Sequence, residues 1–367
     1  MPTILHTEAS LGFGGQELRI VAESRWLREH GWGALIACQP GSRLFAEARA
    51  SAADASAVRM RGAVDLGALW ALRRLMRARG VDLVHTHSST DSWLGALAAK
   101  SLGLPVVRSR HVSIAIRSAL VYRLADRIVT SGEKVRAIVV HAGVPGERVV
   151  AIPAGVDTAR FHAAVSGKTV RDELRVGAGE PLIGLVANIR GSKGHNVFLE
   201  AARDVLRAAP RARFLIVGDG VGYDDVRRRV SDLGLTRHVT MTGFRRDIPE
   251  VMAALDVLVL PSIRSEATSQ VIPQALAVGT PVVATTVGGS PELVRDGETG
   301  RLVPPEDPPA LARAVLEILR DPERARAMGR AGQAAISAGL TLDASMARTT
   351  AVYRELLAGR GRPPHRG

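Results

Sequence analysis

Between Pro261 and Pro291 the chain reads PSIRSEATSQVIPQALAVGTPVVATTVGGSP, and this stretch holds its most chemically capable residues. A lone carboxylate, Glu266, lies in a small polar loop that runs into a helical pattern, a buried strand and a Gly-Gly turn. Backbone N–H groups at the start of a helix have no partner within it and carry partial positive charge, so they attract anions. Thr268, Ser269 and Gln270 are therefore expected to offer backbone donors to a diphosphate, with Glu266 facing hydroxyl groups beside it. Thr268 and Ser269 are the cap candidates, and Pro273 falls within the first turn, where a missing N–H costs little. Gln274 then points back toward the same crevice.

Formal charge comes from an earlier loop, NIRGSKGH (188–195), where Gly191 and Gly194 flank Lys193. Arg190 offers a planar donor fork and Lys193 a point charge. Neither the spacing nor a terminal Lys-Ser/Thr pair makes this a Walker A loop. GDGVGYDD (218–225) supplies Gly218, GFRRD (243–247) supplies Gly243 and Phe244 beside a base, and TTVGGSPE (285–292) brings Gly288 and Gly289. Earlier signals are fewer: a glycine turn with Gly12, Gly14 and Gly15, the pair His85 and His87, and His111 after a strand. The glycine spacing is not that of a dinucleotide fingerprint. Alternate residues of a strand share a face, so a metal pair at His85 and His87 is conceivable, but no third ligand is obvious. No Asp-X-Asp occurs in the chain, so no metal is expected at the diphosphate, and cationic side chains with a helix N-terminus must take its place.

These loops need two frames to hold them. At 367 residues the chain exceeds one ordinary core, and two α/β domains of similar size are expected. Short β-branched runs alternate with helical patterns throughout, the mark of parallel sheets covered on both faces. Strands are expected near 3–6, 34–38, 82–86, 105–109, 127–130 and 149–152, then near 182–187, 213–217, 238–241, 257–260 and 281–285. Helices fall between them, one near 116–124 among them. The division is placed at 1–165 and 166–340, with a helix at 341–360 crossing back to the first domain and a disordered tail GRGRPPHRG. In such sheets ligands bind beyond the carboxyl ends of the strands, where every polar cluster named above lies.

Composition limits the partners. Hydrophobic residues make up 46% and charged residues 23%, as in soluble globular proteins. The single cysteine, Cys38, rules out an internal disulfide and suits a reducing compartment, and no apolar run is long enough to span a bilayer, so the cytosol is expected. The net charge of +13 is uneven: residues 1–163 hold 21 Lys+Arg against 13 Asp+Glu. Aromatic residues at 4% leave no stacking platform, so nucleic acid is not expected as a partner. LWALRRLMRARG (69–80) reads most simply as a helix packed on a sheet with a solvated basic face, with peripheral contact to anionic inner-membrane lipid as the lesser alternative.

Taken together, FGGQE (13–17), HTH (85–87), His111, IRGSKGH (189–195), VGDG (217–220), TGF (242–244), PS (261–262), SEATSQVIPQALAVGTPVVAT (265–285) and VGGSPE (287–292) resemble the retaining nucleotide-sugar glycosyltransferases of family four. The resemblance implies the GT-B fold, two doubly wound Rossmann-like domains facing across a cleft, and a glycan or lipid-linked acceptor, with envelope polysaccharide or lipopolysaccharide as its setting. It implies that Arg190 and Lys193 bind the donor diphosphate, Glu266 the sugar hydroxyls and the amides of Thr268 to Gln270 the distal phosphate, with His111 near the reacting centre. No separate cofactor is implied, the nucleotide-sugar being a substrate. The chain departs from the pattern at Gln274, where a second glutamate is usual, and at Ala267-Thr268-Ser269, where phenylalanine and glycine are common. A GT-B epimerase, a glycan phosphorylase and a non-catalytic sugar-phosphate binder are the alternatives.

Overall fold

The computed structural model describes residues 1–359. Residues 360–367, most of the tail expected to be disordered, lie outside the described residues. The chain divides into two compact units, Met1–Ala154 with Leu342 onward, and Gly155–Thr341.

The first unit is built on a seven-stranded parallel sheet: β1 Thr3–Glu8, β2 Gly33–Cys38, β3 Asp54–Ala57, β4 Leu83–Thr86, β5 Val106–Arg110, β6 Arg127–Thr130 and β7 Val149–Ala151. Their order across the sheet is β3-β2-β1-β4-β5-β6-β7. Alternation sends neighbours to opposite faces: Leu5, Leu35 and Val84 pack into one apolar layer, Ile4, Ala34 and Leu83 into another. The helix Leu342–Ala358 closes the second layer, burying Met346 and Tyr353 completely. Ser345 Oγ donates to Pro153 O at 2.8 Å, and Trp26 Nε1 to Asp343 Oδ1 at 2.6 Å.

The second unit carries a six-stranded parallel sheet: β8 Leu182–Val186, β9 Arg213–Val217, β10 Val239–Gly243, β11 Val257–Leu260, β12 Val282–Thr285 and β13 Gly300–Val303. Its order is β10-β9-β8-β11-β12-β13, the same winding as the first six strands of the other sheet. In each unit the order reverses once, between β1 and β4 and between β8 and β11. A crevice opens beyond the strand ends at such a reversal.

Three expectations are corrected. The units part at Ala154, ahead of 165, because Val156 and Phe161 already pack into the second unit's core; the return falls at Leu342, not 341. β3 and β13 were not expected; both are edge strands, and DASA and GRLV lack the continuous apolar demand of a central strand. The helix expected near 116–124 is only Leu120–Arg123. Arg110 Nη2 takes up Ile114 O at 2.5 Å, and the chain up to Ala119 stays out of the helix.

Candidate active site

In the second unit the loops after β8, β11 and β12 lock together backbone to backbone. Gly194 has φ 72°, and a Cβ there would overlap the carbonyl oxygen of Pro261; Ile263 N donates to Ser192 O at 3.0 Å. Gly288, at φ 63°, lies against Glu266 O in the same way. Only glycine combines the left-handed backbone with so close an approach. The result is a buried ion pair: Lys193 Nζ lies 2.6 Å from Glu266 Oε2, with the two side chains 13% and 6% exposed. Ser262 Oγ also donates to Oε2, at 2.6 Å, and its own carbonyl accepts from Thr285 Oγ1 at 2.5 Å. Both bonds to the carboxylate converge on one oxygen, so Oε1 remains to accept from hydroxyl groups.

The helix that follows starts later than expected. It spans Val271–Val278 with Gln270 as its flanking residue, so Thr268 and Ser269 are not its caps. The carbonyls of Glu266 and Ala267 accept from Gly289 N, at 3.2 and 2.7 Å, and are unavailable to a helical turn. Ser269 is buried and Thr268, Gln270 and Gln274 half-buried; Pro273 sits in the first turn as expected. Arg190 is exposed and makes no ion pair among the described residues, so Lys193 alone of the two cations touches Glu266. Gly218 N donates to Gly243 O at 2.8 Å, joining two further loops, and Phe244 lies exposed next to Gly243.

In the first unit, burial shifts several polar groups at the strand ends toward their neutral forms. Glu8, at the end of β1, is fully buried, holds Ser10 N at 2.8 Å and Gln16 Nε2, and burial with the nearby Asp91 carboxylate pushes it up to about 8. Asp91 is raised by burial too, while accepting from His87 N at 2.8 Å and Thr7 Oγ1 at 2.9 Å. Gly14 precedes the helix Gly15–Glu29, and its N–H is taken by Glu17 Oε2 at 2.8 Å. His111 is half-buried just past β5, with His87 Nδ1 3.1 Å from its Nε2. Burial lowers His87 and His111 well below the ordinary histidine range.

A third histidine, unsuspected from sequence, joins His85 and His87: His6, which the parallel register places opposite His85. The three bring a nitrogen each within 4.8 Å of one another. The set does not fit a zinc ion as it stands. His85 spends Nδ1 on Tyr353 Oη at 2.6 Å and Nε2 on Ser109 Oγ at 2.8 Å, and the His85 and His87 rings are stacked rather than convergent.

A family model described as Glycosyl transferases group 1 matches residues 180–321, and one described as Glycosyltransferase Family 4 matches residues 13–160. The chain is 31% identical over 309 residues to the D-inositol 3-phosphate glycosyltransferase of Segniliparus rotundus, across 77% of this chain and 68% of that protein. The chain belongs to glycosyltransferase family 4. Another family 4 relative is the 2-deoxystreptamine glucosyltransferase of Streptomyces kanamyceticus, 30% identical, across 75% of this chain and 79% of that one. The crystal structure of Anabaena HepE in complex with UDP-glucose superposes with a TM-score of 0.87 at 21% identity, covering 96% of this chain and 99% of that one, which shows the shared GT-B fold.

Sequence reasoning missed Ser262, His6 and Asp91 as neighbours of the two constellations. Ser262 was within reach, four residues before Glu266. His6 was not, since only the pairing of β1 with β4 brings it to His85.

Proposed function

We propose that this family 4 glycosyltransferase moves a sugar, with retention of anomeric configuration, from a nucleotide-sugar donor held by the 155–341 unit to a glycan or lipid-linked acceptor. The observation that carries the reading is the Lys193–Glu266 pair, buried where the sheet order reverses and leaving one carboxylate oxygen open. In this reading Lys193 and Arg190 neutralise the donor diphosphate, Glu266 binds sugar hydroxyls through Oε1, and the backbone from Thr268 to Gln270 meets the distal phosphate. Gly218, Gly243 and Phe244 border the base, and Gln274 gives the ribose one donated and one accepted hydrogen bond. Gly14 and Gly15 approach the donor from the other unit, and His111 lies near the reacting centre.

Catalysis then rests on stabilising negative charge on the departing diphosphate, whose oxygen takes the acceptor proton, so no protein nucleophile is needed. Two cationic side chains do the work of a divalent ion, and activity should withstand a chelator. The UDP-glucose complex of HepE supports a nucleotide-sugar donor. The two relatives named above are an inositol 3-phosphate glycosyltransferase and a 2-deoxystreptamine glucosyltransferase, which supports glycosyl transfer to an acceptor. No helix among the described residues is long and apolar enough to cross a membrane. A peripheral contact with an anionic bilayer, suited to envelope polysaccharide or lipopolysaccharide assembly, is supported by the helix Leu66–Ala78. It exposes Leu66 and Trp70, contains no acidic residue, and carries Arg73, Arg74 and Arg77 without an ion pair among the described residues.

The test is a panel of UDP-, GDP- and ADP-sugars. One should raise the melting temperature, with about 2.7 kcal/mol of stabilisation at 100 times its dissociation constant. Nucleoside diphosphate should then appear only when an acceptor is added, and proton NMR of the product should show the donor's anomeric configuration. An altered nucleotide-sugar formed without acceptor would establish an epimerase instead.

A further inference from the structure

Three imidazoles in the first unit form a continuous chain. His6 Nδ1 lies 2.9 Å from His87 Nε2, and His87 Nδ1 lies 3.1 Å from His111 Nε2. The rings are nearly parallel, at 19° and 18° in the two steps. Asp91 holds the backbone of the middle histidine by accepting from His87 N. Burial pulls His6 down to about 4 and the other two well below their ordinary value, so all three are neutral at neutral pH. Arg19 and Glu23, ion-paired at 2.5 Å, are the charged groups whose fields reach His6.

A neutral imidazole has one N–H and one lone pair. Two hydrogen bonds through three neutral rings therefore allow only two proton arrangements. In the outward one, His6 Nδ1–H donates to His87 Nε2, His87 Nδ1–H donates to His111 Nε2, and His111 carries its proton on Nδ1. In the inward one every proton sits on Nε2, and His111 Nδ1 is bare. The far end decides between them. His6 Nε2 is buried and has no partner. The inward arrangement would strand an N–H there, the outward one only a lone pair, and a buried unmatched N–H is the rarer and costlier defect.

We propose that His6 and His87 are positioning residues that fix the tautomer of His111, making it accept at Nε2 and present Nδ1–H as a donor. The inference rests on the reading that His111 borders the reacting centre. It gives His111 the part of a hydrogen-bond donor to a sugar or phosphate oxygen, not of a general base, so the acceptor proton leaves by the departing phosphate.

Nitrogen-15 NMR of the histidine-labelled full chain, with no ligand added, reads the tautomers directly. The expected result is Nδ1–H at His6, His87 and His111; Nε2–H at His111 overturns the proposal. His6→Phe removes the head donor and should turn His111 into a tautomer mixture, lowering kcat about tenfold with the donor KM unchanged. His6→Gln, whose amide can still donate to His87 Nε2, should restore both spectrum and turnover. An unmoved His111 tautomer in folded His6→Phe also overturns it. If that variant does not fold, the wild-type and His6→Gln spectra decide. Because the spectra need no substrate, failure to find glycosyl transfer would sink the transferase reading separately from the tautomer result.

Discussion

Where the strand order reverses in the 155–341 unit, an ammonium and a carboxylate lie in contact; at the equivalent place in the first unit lie neutral imidazoles and a carboxyl group pushed up to about 8. The two sheets wind identically over six strands, so the fold sets where a crevice opens but not what fills it. Lys193 and Glu266 each supply the other's counter-ion, and loop backbone holds them together. Glu8 has no cation beside it among the described residues, and burial next to Asp91 favours its proton. One site therefore offers a paired ammonium and carboxylate, the other oriented neutral hydrogen-bonding groups.

Breaking the charged pair should have the largest effect. Glu266→Ala leaves Lys193 without its partner at a largely buried position, and about 3 kcal/mol of stability should go with it, read as a lower denaturant midpoint. A midpoint equal to that of the wild type would show that the second site is no more charge-dependent than the first. Lys193→Ala should next cut turnover by about 10²–10³, the loss of roughly 3–4 kcal/mol of transition-state stabilisation. Wild-type turnover in that variant removes Lys193 from the mechanism.

The neutral site is probed by pH. A carboxyl whose folded value is raised from 4.5 to about 8 is protonated when folded and ionised when unfolded between those limits. Its contribution is complete below 4.5 and is lost as pH rises toward 8, at about 1.4 kcal/mol per pH unit. His6, lowered from 6.5 to about 4, works the other way, contributing above 6.5 and losing that contribution as pH falls to 4. Chemical denaturation from pH 4 to 9 should show a decline above 6.5 that Glu8→Gln flattens; the same slope in both proteins would reject a protonated Glu8.

The smallest effect concerns the surfaces. Several helical arginines have acidic neighbours, as in Arg25–Glu29, Arg207–Asp204 and Arg228–Asp225, whereas Arg73, Arg74 and Arg77 have none among the described residues. Cosedimentation with phosphatidylglycerol vesicles should weaken about fivefold in Arg74→Ala, from about 1 kcal/mol per cation near an anionic surface. Equal binding by wild type and variant, or none by either, would remove this helix as a membrane contact.

Much of the second site was legible because its parts are local. Glu266, the helix with its early proline, and the glycines that allow close backbone approach are neighbours in sequence, and each loop directly follows an apolar strand. The helix cap was misplaced because the acceptor of the Gly289 N–H lies more than twenty residues earlier in the chain. The first site was scarcely legible: nothing near His6 distinguishes it from a core residue, and the edge strands β3 and β13 lack the apolar density that marks the central ones.

The order of apolar runs and loops by itself determined two doubly wound sheets, because alternation of β-branched strands with amphipathic helices has few other ways to bury its surface. It also placed the reactive loops at the strand ends. Which groups meet there was decided by tertiary structure. The register of β1 on β4 brings His6 to His85, where burial favours the neutral imidazoles, and loop-to-loop contact brings Lys193 to Glu266.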